Sequence, residues 1–176
     1  IQNKEVLDIE YKRFDSSQIK THIVHPYLLK EYRSRWYLLG LNHKHQFITT
    51  YALDRVISLK MGYGQDYMEN TGFDPKIYFQ NTIGITYTGE PPLLATLFVQ
   101  SDFVPYLLTQ PLHHTQKLLE ETDQGAYFQL EVVSNPEFKT LILGYSDVMT
   151  VVAPPKLKHD FTDIRQFNLM FKTFQG

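Results

Sequence analysis

Arginine and aromatic side chains are interleaved within residues 33–60. Arg35 precedes the run Trp-Tyr-Leu at residues 36–38, and Arg55 follows a second strand-like run that ends in a tight corner. Guanidinium groups bind anions and stack on aromatic rings, and aromatic rings stack on nucleobases. We therefore interpret this stretch as part of a surface that binds an anionic ligand.

Neighbouring predicted strands carry further side chains suited to the same ligand. Arg33 and Lys12 add positive charge, and Tyr11 and Tyr51 add stacking surfaces. His25 is able to hydrogen-bond either a ligand or a backbone carbonyl. The candidate binding residues are Arg55, Arg35, Tyr37, His25, Tyr11, Tyr51, Arg33 and Lys12.

The two central arginines also have structural interpretations. Arg55 either forms an ion pair with Asp54 or Asp15, or holds a phosphate through two parallel hydrogen bonds. Arg35 either contacts the ligand or belongs to a solvated face. Both alternatives stay open from the sequence alone.

Strand geometry separates the aromatic candidates. Successive side chains on a strand point to opposite faces, so Tyr37 faces away from Trp36 and Leu38. We expect Trp36 and Leu38 to fill the core. Tyr37 is therefore the better stacking candidate.

No other pattern in the sequence indicates a specific chemistry. His43 and His45 have a metal-binding spacing but lie in an expected exposed turn without a nearby carboxylate. His113 and His114 are adjacent and face opposite ways on a strand. The chain has no glycine-rich phosphate loop, no Gly-x-Ser-x-Gly elbow and no acids paired against a base. We predict no enzyme activity, no metal and no cofactor.

The composition indicates one or two folded domains in 176 residues, with 43% hydrophobic and 14% aromatic residues. The absence of cysteine excludes disulfides and thiolate chemistry. No apolar run approaches the roughly 20 residues of a membrane helix, and the first residues do not form a signal peptide. We expect a cytoplasmic protein.

Charge is divided unevenly along the chain. Residues 1–61 carry ten lysines and arginines against six acids, a net charge of +4, whereas the remainder carries seven against thirteen, a net charge of −6. A basic segment joined to an acidic one favours an anionic ligand for the first half.

Residues 1–61 have the pattern of five short strands without a helix. Alternation places Leu7, Ile9 and Tyr11 on one face of the first strand, and Pro26 indicates an edge or a bulge in the second. Five strands in about sixty residues predict a small barrel or a strongly bent sheet.

Residues 62–92 are interpreted as a linker with a short helix. Asp74-Pro75 provides the cap and first residue of this helix, and a short strand is expected from Gly84 to Tyr87. Residues 93–176 follow the order β-α-β-β-α-β of the ferredoxin-like unit.

Capping signals define two helices in this last segment. Asn135 is expected to cap a helix from Pro136 to Leu143. An amphipathic helix that begins after Pro154-Pro155 is expected to reach about Phe171.

Ordered motifs occur along essentially the whole chain. In the first half they are Arg35-Trp36-Tyr37-Leu38-Leu39-Gly40, Tyr51-Ala52-Leu53-Asp54-Arg55-Val56, His25-Pro26-Tyr27-Leu28-Leu29 and Ile9-Glu10-Tyr11. In the second half they are Phe73-Asp74-Pro75, His114-Thr115-Gln116, Asn135-Pro136-Glu137-Phe138 and Leu143-Gly144-Tyr145. This set resembles the WYL domain of bacterial transcription regulators followed by its C-terminal extension, the WCX domain.

The resemblance implies an α+β protein, with a Sm-like five-stranded barrel at residues 1–61 and a ferredoxin-like WCX domain at residues 93–176. It also implies a nucleotide or single-stranded nucleic acid effector on the barrel, a DNA-binding helix-turn-helix in front of Ile1, and a homodimer. On this basis the chain is expected to be the regulatory part of a longer protein.

One motif departs from the family. Many members read Arg-x-Phe-Arg-Leu-Asp-Arg where this chain has residues 49–55, so two of three arginines are missing. Fewer phosphate contacts predict a lower affinity for nucleic acid or a different ligand. Two functions stay open: an effector-sensing regulatory module, and a purely structural dimerisation module without a ligand.

Overall fold

The computed structural model describes residues 1–62 and 64–163. The chain divides into two compact units, Ile1–Ile77 and Tyr78–Gly176. Among the described residues, no helix combines the length and the apolar character needed to cross a membrane. The terminal helix expected up to Phe171 lies partly outside the described residues.

The first unit is built on one antiparallel sheet. Its strands are β1 (Leu7–Lys12), β2 (Ile19–Tyr32), β3 (Arg35–Asn42), β4 (Phe47–Ala52) and β5 (Val56–Met61). They are ordered β4-β3-β2-β1-β5, and a 3₁₀ turn at Leu53–Arg55 joins β4 to β5. The five predicted strands are confirmed. Because β4 and β5 are the outer strands of this sheet, the described residues do not form a closed barrel.

Alternation along the strands decides which side chains form the core of this unit. Ile9 and Tyr11 are buried together with Val24, Leu38 and Tyr51. The predicted buried face of β1 is therefore confirmed.

Trp36 is not part of this core, because its side chain is 51% exposed. The last residue of β4, Ala52, pairs with Tyr37. Trp36 therefore has a strand neighbour on one side only, Glu31 of β2. The expectation that Trp36 fills the core is wrong, whereas Leu38 is buried as expected.

Pro26 coincides with an irregularity in β2. The register between β2 and β3 shifts between Pro26 and Leu28, so the predicted bulge is confirmed. The alternative, an edge position, is wrong because β2 lies between β1 and β3. Gly40 pairs with Pro26, and a Cβ atom on Gly40 would lie 2.5 Å from the carbonyl oxygen of His25. Only glycine permits this close approach of the two strands.

The short helix expected within residues 62–92 is α1 (Pro75–Tyr78). Its cap is confirmed, since Asp74 Oδ1 accepts a hydrogen bond of 2.8 Å from the Lys76 amide. The strand expected from Gly84 to Tyr87 is wrong, because that segment is irregular.

The second unit is a four-stranded antiparallel sheet with helices packed on its buried face. The strands are β6 (Leu93–Gln100), β7 (Lys117–Thr122), β8 (Gly125–Val132) and β9 (Met149–Ala153), ordered β7-β8-β6-β9. The helices are α2 (Val104–Thr109), α3 (Pro136–Gly144) and a helix whose described part spans residues 155–163. The predicted succession of strands and helices is confirmed.

Candidate ligand-binding cleft

A cleft of about 340 Å³ opens on the first unit. It lies among β1, the turn that follows β1, β2, β4 and the 3₁₀ turn. The lining residues are Tyr11, Arg13, Phe14, Asp15, His22, Thr49, Thr50, Tyr51 and Arg55. The cleft thus combines guanidinium groups and aromatic rings, the two kinds of side chain that suit an anionic ligand.

Arg55 is the lining arginine without an acidic partner. Within residues 1–62 and 64–163 it forms no ion pair, because Asp54 pairs with Arg35 at 3.3 Å and Asp15 pairs with Arg13. The Nε atom of Arg55 is buried and has no hydrogen-bond partner. Its guanidinium carbon lies 4.1 Å from the centroid of the Phe14 ring. Arg55 therefore keeps its hydrogen-bonding capacity for a ligand, and Phe14 holds it in place.

Arg13 and Asp15 form a bidentate ion pair at the mouth of the cleft. Arg13 Nε donates to Asp15 Oδ1 at 2.8 Å, and Arg13 Nη2 donates to Asp15 Oδ2 at 2.6 Å. The hydrogen bonds from Arg13 lower the pKa of the Asp15 carboxyl, and Arg55 adds a smaller attraction. This pair fixes the turn that carries Phe14 between them.

Three rings form the wall of the cleft. The Tyr11 and Tyr51 rings meet edge to face with centroids 5.3 Å apart, and the His22 ring lies 5.4 Å from that of Tyr51. Tyr11 also anchors the end of β4, because its hydroxyl accepts a hydrogen bond of 3.2 Å from the Ala52 amide. Burial lowers the pKa of His22, with a smaller effect from His45 and Lys20, which favours the neutral ring.

Asn42 forms hydrogen bonds that hold this wall in place. Its Nδ2 atom donates to the Tyr51 hydroxyl at 2.8 Å, and its Oδ1 atom accepts from the Lys44 and His45 amides. Burial raises the pKa of the Tyr51 phenol against the opposing effect of the Asn42 hydrogen bond. The turn between β3 and β4 thus fixes the orientation of a cleft residue.

The structure brings together three of the eight residues predicted from the sequence. Arg55, Tyr11 and Tyr51 line the cleft. The other five do not: they are Arg35, Tyr37, His25, Arg33 and Lys12.

The two predicted arginines outside the cleft, Arg35 and Arg33, each contact a neighbouring side chain. Arg35 forms the exposed ion pair with Asp54. Arg33 lies in the two-residue turn between β2 and β3, where both Arg33 and Ser34 have positive φ, and its guanidinium lies over the Tyr32 ring.

His25 is fully buried, and both of its ring nitrogens have partners inside the unit. The Nδ1 atom accepts from the Met68 amide at 3.0 Å, so the proton must be on Nε2, which donates to His43 Nδ1 at 3.0 Å. Of the two interpretations from the sequence, the structure therefore places His25 in a structural role.

Six lining residues are outside the set of candidate binding residues chosen from the sequence: Arg13, Phe14, Asp15, His22, Thr49 and Thr50. The alternation that selected Tyr11 extends to Arg13, two residues further on, and was a usable signal. Phe14 gave no such signal, because its position depends on the conformation of the turn rather than on strand periodicity.

Comparison with known families identifies both halves of the chain. The family model described as "WYL domain" matches residues 1–61, and the model described as "WCX domain" matches residues 91–164. The chain therefore carries a WYL domain followed by a WCX domain, and this pair of domains indicates a regulator-type protein.

Two solved structures of larger proteins are similar to this chain. A CRISPR Cas-related protein is 10% identical with a TM-score of 0.56, and the match covers 98% of this chain and 48% of that one. The proteasome accessory factor B/C (PafBC) of Arthrobacter aurescens is 17% identical with a TM-score of 0.41, over 90% of this chain and 24% of that one.

Curated relatives match over short segments. The glycine–tRNA ligase of Alkaliphilus oremlandii is 56% identical over 85 residues, which are 48% of this chain and 16% of that protein. The glycine–tRNA ligase of Lysinibacillus sphaericus is 41% identical over 66 residues, 36% of this chain and 13% of that protein. This chain therefore spans only a small part of the length of these ligases.

Proposed function

We propose that this chain is the effector-sensing part of a bacterial DNA-binding transcription regulator and that its WYL domain binds an anionic ligand in the Arg55 cleft. The observation that carries the proposal is the Arg55 guanidinium, which lies in a cleft of about 340 Å³ without an acidic partner among the described residues. The effector is a nucleotide or a single-stranded nucleic acid. Double-stranded DNA would be bound by a separate domain of the regulator, which would act as a homodimer in the cytoplasm.

We further propose that the first unit has the strand order of the Sm-like fold, in a sheet that is not closed into a barrel, and that the second has the ferredoxin-like fold. The position of β5 beside β1 supports the first assignment. The sheet order β7-β8-β6-β9, together with the order of strands and helices along the chain, supports the second.

Arg55→Gln is expected to weaken ligand binding at least about tenfold, because a hydrogen bond to a charged group contributes about 1.5–3 kcal/mol. The matched control is Arg33→Gln, which removes the same charge from a turn outside the cleft. Binding is measured by fluorescence anisotropy with labelled single-stranded DNA and RNA, and by calorimetry with nucleoside monophosphates. Affinity is expected to fall with increasing salt.

The outcomes distinguish a wrong binding site from the absence of an anionic ligand. Binding that is lost in Arg55→Gln and retained in Arg33→Gln supports the proposal. Equal loss in both variants means that only the overall charge matters and contradicts the cleft. If no anionic probe binds at low salt, the sensing function itself is wrong.

The second candidate is a structural dimerisation module, which the outer strand β5 favours. Ile57, Leu59 and Met61 are exposed on it, and apolar residues along an unpaired strand edge are typical of a protein contact. In this case the chain sediments as a dimer, Leu59→Glu dissociates it, and Arg55→Lys behaves as the unsubstituted chain in every assay.

A further inference from the structure

Phe14 has an apolar ring that is exposed to solvent at the mouth of the cleft. Phe14 is 73% exposed. It lies in the turn after β1, between the two members of the Arg13–Asp15 ion pair. The position of Phe14 is therefore fixed by its neighbours rather than by its own burial.

One face of this ring is occupied and the other is open. The Arg55 guanidinium lies over the ring at 4.1 Å from the centroid, and the exposure of the side chain leaves the opposite face to solvent. A flat aromatic group is able to stack on the open face, and such stacking is tolerant of base identity because every base has a π face.

The charge of the cleft favours a single phosphate group over a di- or triphosphate. Among its lining residues two arginines and one aspartate are ionised at neutral pH, which leaves one net positive charge. Di- and triphosphates would place more negative charge beside Asp15 than this cleft compensates.

The size of the cleft also favours a ligand no larger than one nucleotide. Small-molecule sites range from about 300 to 1,000 Å³. A volume of about 340 Å³ is at the lower end of that range and suits one nucleotide rather than a dinucleotide.

We propose that the cleft binds one mononucleotide unit, with its base stacked on the open face of Phe14 and its phosphate on Arg55. This inference rests on the proposed anion-binding function and adds a specificity-determining residue to it. The same unit occurs as a free nucleoside monophosphate and as a nucleotide of a single strand.

The test compares probes that share a phosphate but differ in the ring. Calorimetry with the full chain uses adenosine 5′-monophosphate, ribose 5-phosphate and a single-stranded hexanucleotide. We expect the adenosine 5′-monophosphate to bind about tenfold more tightly than ribose 5-phosphate, as stacking on an aromatic side chain implies. Phe14→Leu is expected to remove this difference, and loss of the contact between Phe14 and Arg55 lowers the affinity for both probes alike, so the ratio of the two affinities is the measurement.

Phe47→Leu is the matched control. Phe47 is also an exposed phenylalanine, 57% accessible, but it stacks on His45 and does not line the cleft. This variant is expected to retain the preference for the nucleotide. A Phe14-dependent preference for the hexanucleotide alone supports the inference and identifies a strand as the source of the unit.

Two results overturn the inference and are distinguishable. If adenosine 5′-monophosphate and ribose 5-phosphate bind equally and Arg55→Gln abolishes both, stacking on Phe14 is wrong and the anion-binding function stands. If none of the three probes binds, both the inference and the proposed function fail.

Discussion

Replacing His25 by alanine is expected to destabilise the first unit by about 3 kcal/mol and to release residues 66–69 from β2. The substitution removes a fully buried ring and leaves a cavity. It also removes the acceptor of the Met68 amide and the donor to His43. The unfolding of this unit is followed by the fluorescence of Trp36, the only tryptophan of the chain.

The hydrogen bonds around His25 explain why one ring holds a whole segment. Met68 donates its amide to His25, while the Tyr67 hydroxyl donates to the Pro26 carbonyl at 2.9 Å and the Tyr27 hydroxyl donates to the Met68 carbonyl at 3.0 Å. Of the three side chains that form these bonds, His25 is the one that is fully buried. Hydrogen exchange at the Met68 amide is therefore the local measurement, and its protection is expected to disappear in His25→Ala.

His45→Ala is the matched control for this substitution. His45 is exposed in the turn between β3 and β4 and stacks on Phe47. Its replacement is expected to change the free energy of unfolding by less than about 0.5 kcal/mol. A similar loss of stability in both variants, or an undiminished protection of Met68 in His25→Ala, would contradict the role assigned to His25.

The same contact makes the segment sensitive to pH. Burial, and to a smaller extent His43, lower the pKa of His25 below its usual 6.5. Well above pH 6.5 the ring is neutral in both the folded and the unfolded state, so pH has no effect through this group there. As the pH falls below that value, the unfolded state binds a proton that the folded state lacks, and the free energy of unfolding decreases. Protection of the Met68 amide, corrected for intrinsic exchange, is therefore expected to fall from pH 6.5 downwards.

His25 also illustrates what the sequence is able to predict about the site. Strand periodicity places Tyr11 on one face of β1 with Leu7 and Ile9, and the ring type alone suggests Tyr51; both tyrosines line the cleft. The chemical type of His25 is compatible with a ligand or with a structural contact. Only the docking of a segment more than forty residues later, at Met68, decides between them.

The cleft itself depends on contacts that periodicity does not encode. The position of Phe14 is set by Arg13 and Asp15 on either side of it and by Arg55, about forty residues further along the chain. Trp36 is a second residue whose position is not predicted by periodicity. Its type and alternation favour the core, but β4 ends one position too early to cover it. Local pattern thus predicts strands and their faces, whereas the lengths of neighbouring strands and the turns decide which side chains meet.

The second large effect is expected at Asn135, which the sequence identifies only as a helix cap. The cap is confirmed, since Asn135 Oδ1 accepts a hydrogen bond of 2.8 Å from the Phe138 amide at the start of α3. In addition, its Nδ2 atom donates to the carbonyl oxygens of Ile83 at 2.8 Å and of Thr86 at 3.0 Å. The side chain is fully buried. Asn135 therefore joins α3 to the irregular segment that precedes β6.

Asn135→Ala is expected to destabilise the second unit by about 3 kcal/mol, because it removes a cap worth about 1 kcal/mol and leaves two carbonyl groups without their donor. Asn135→Asp distinguishes the two contributions. It keeps the acceptor for Phe138 but replaces the donor by a carboxylate oxygen facing the carbonyls of Ile83 and Thr86. If capping alone mattered, the aspartate variant would be as stable as the unsubstituted chain in urea denaturation followed by circular dichroism. We expect it instead to be at least as unstable as the alanine variant, since a buried charge beside two acceptors is unfavourable. Hydrogen exchange at the Phe138 amide shows whether the loss of stability lies in α3.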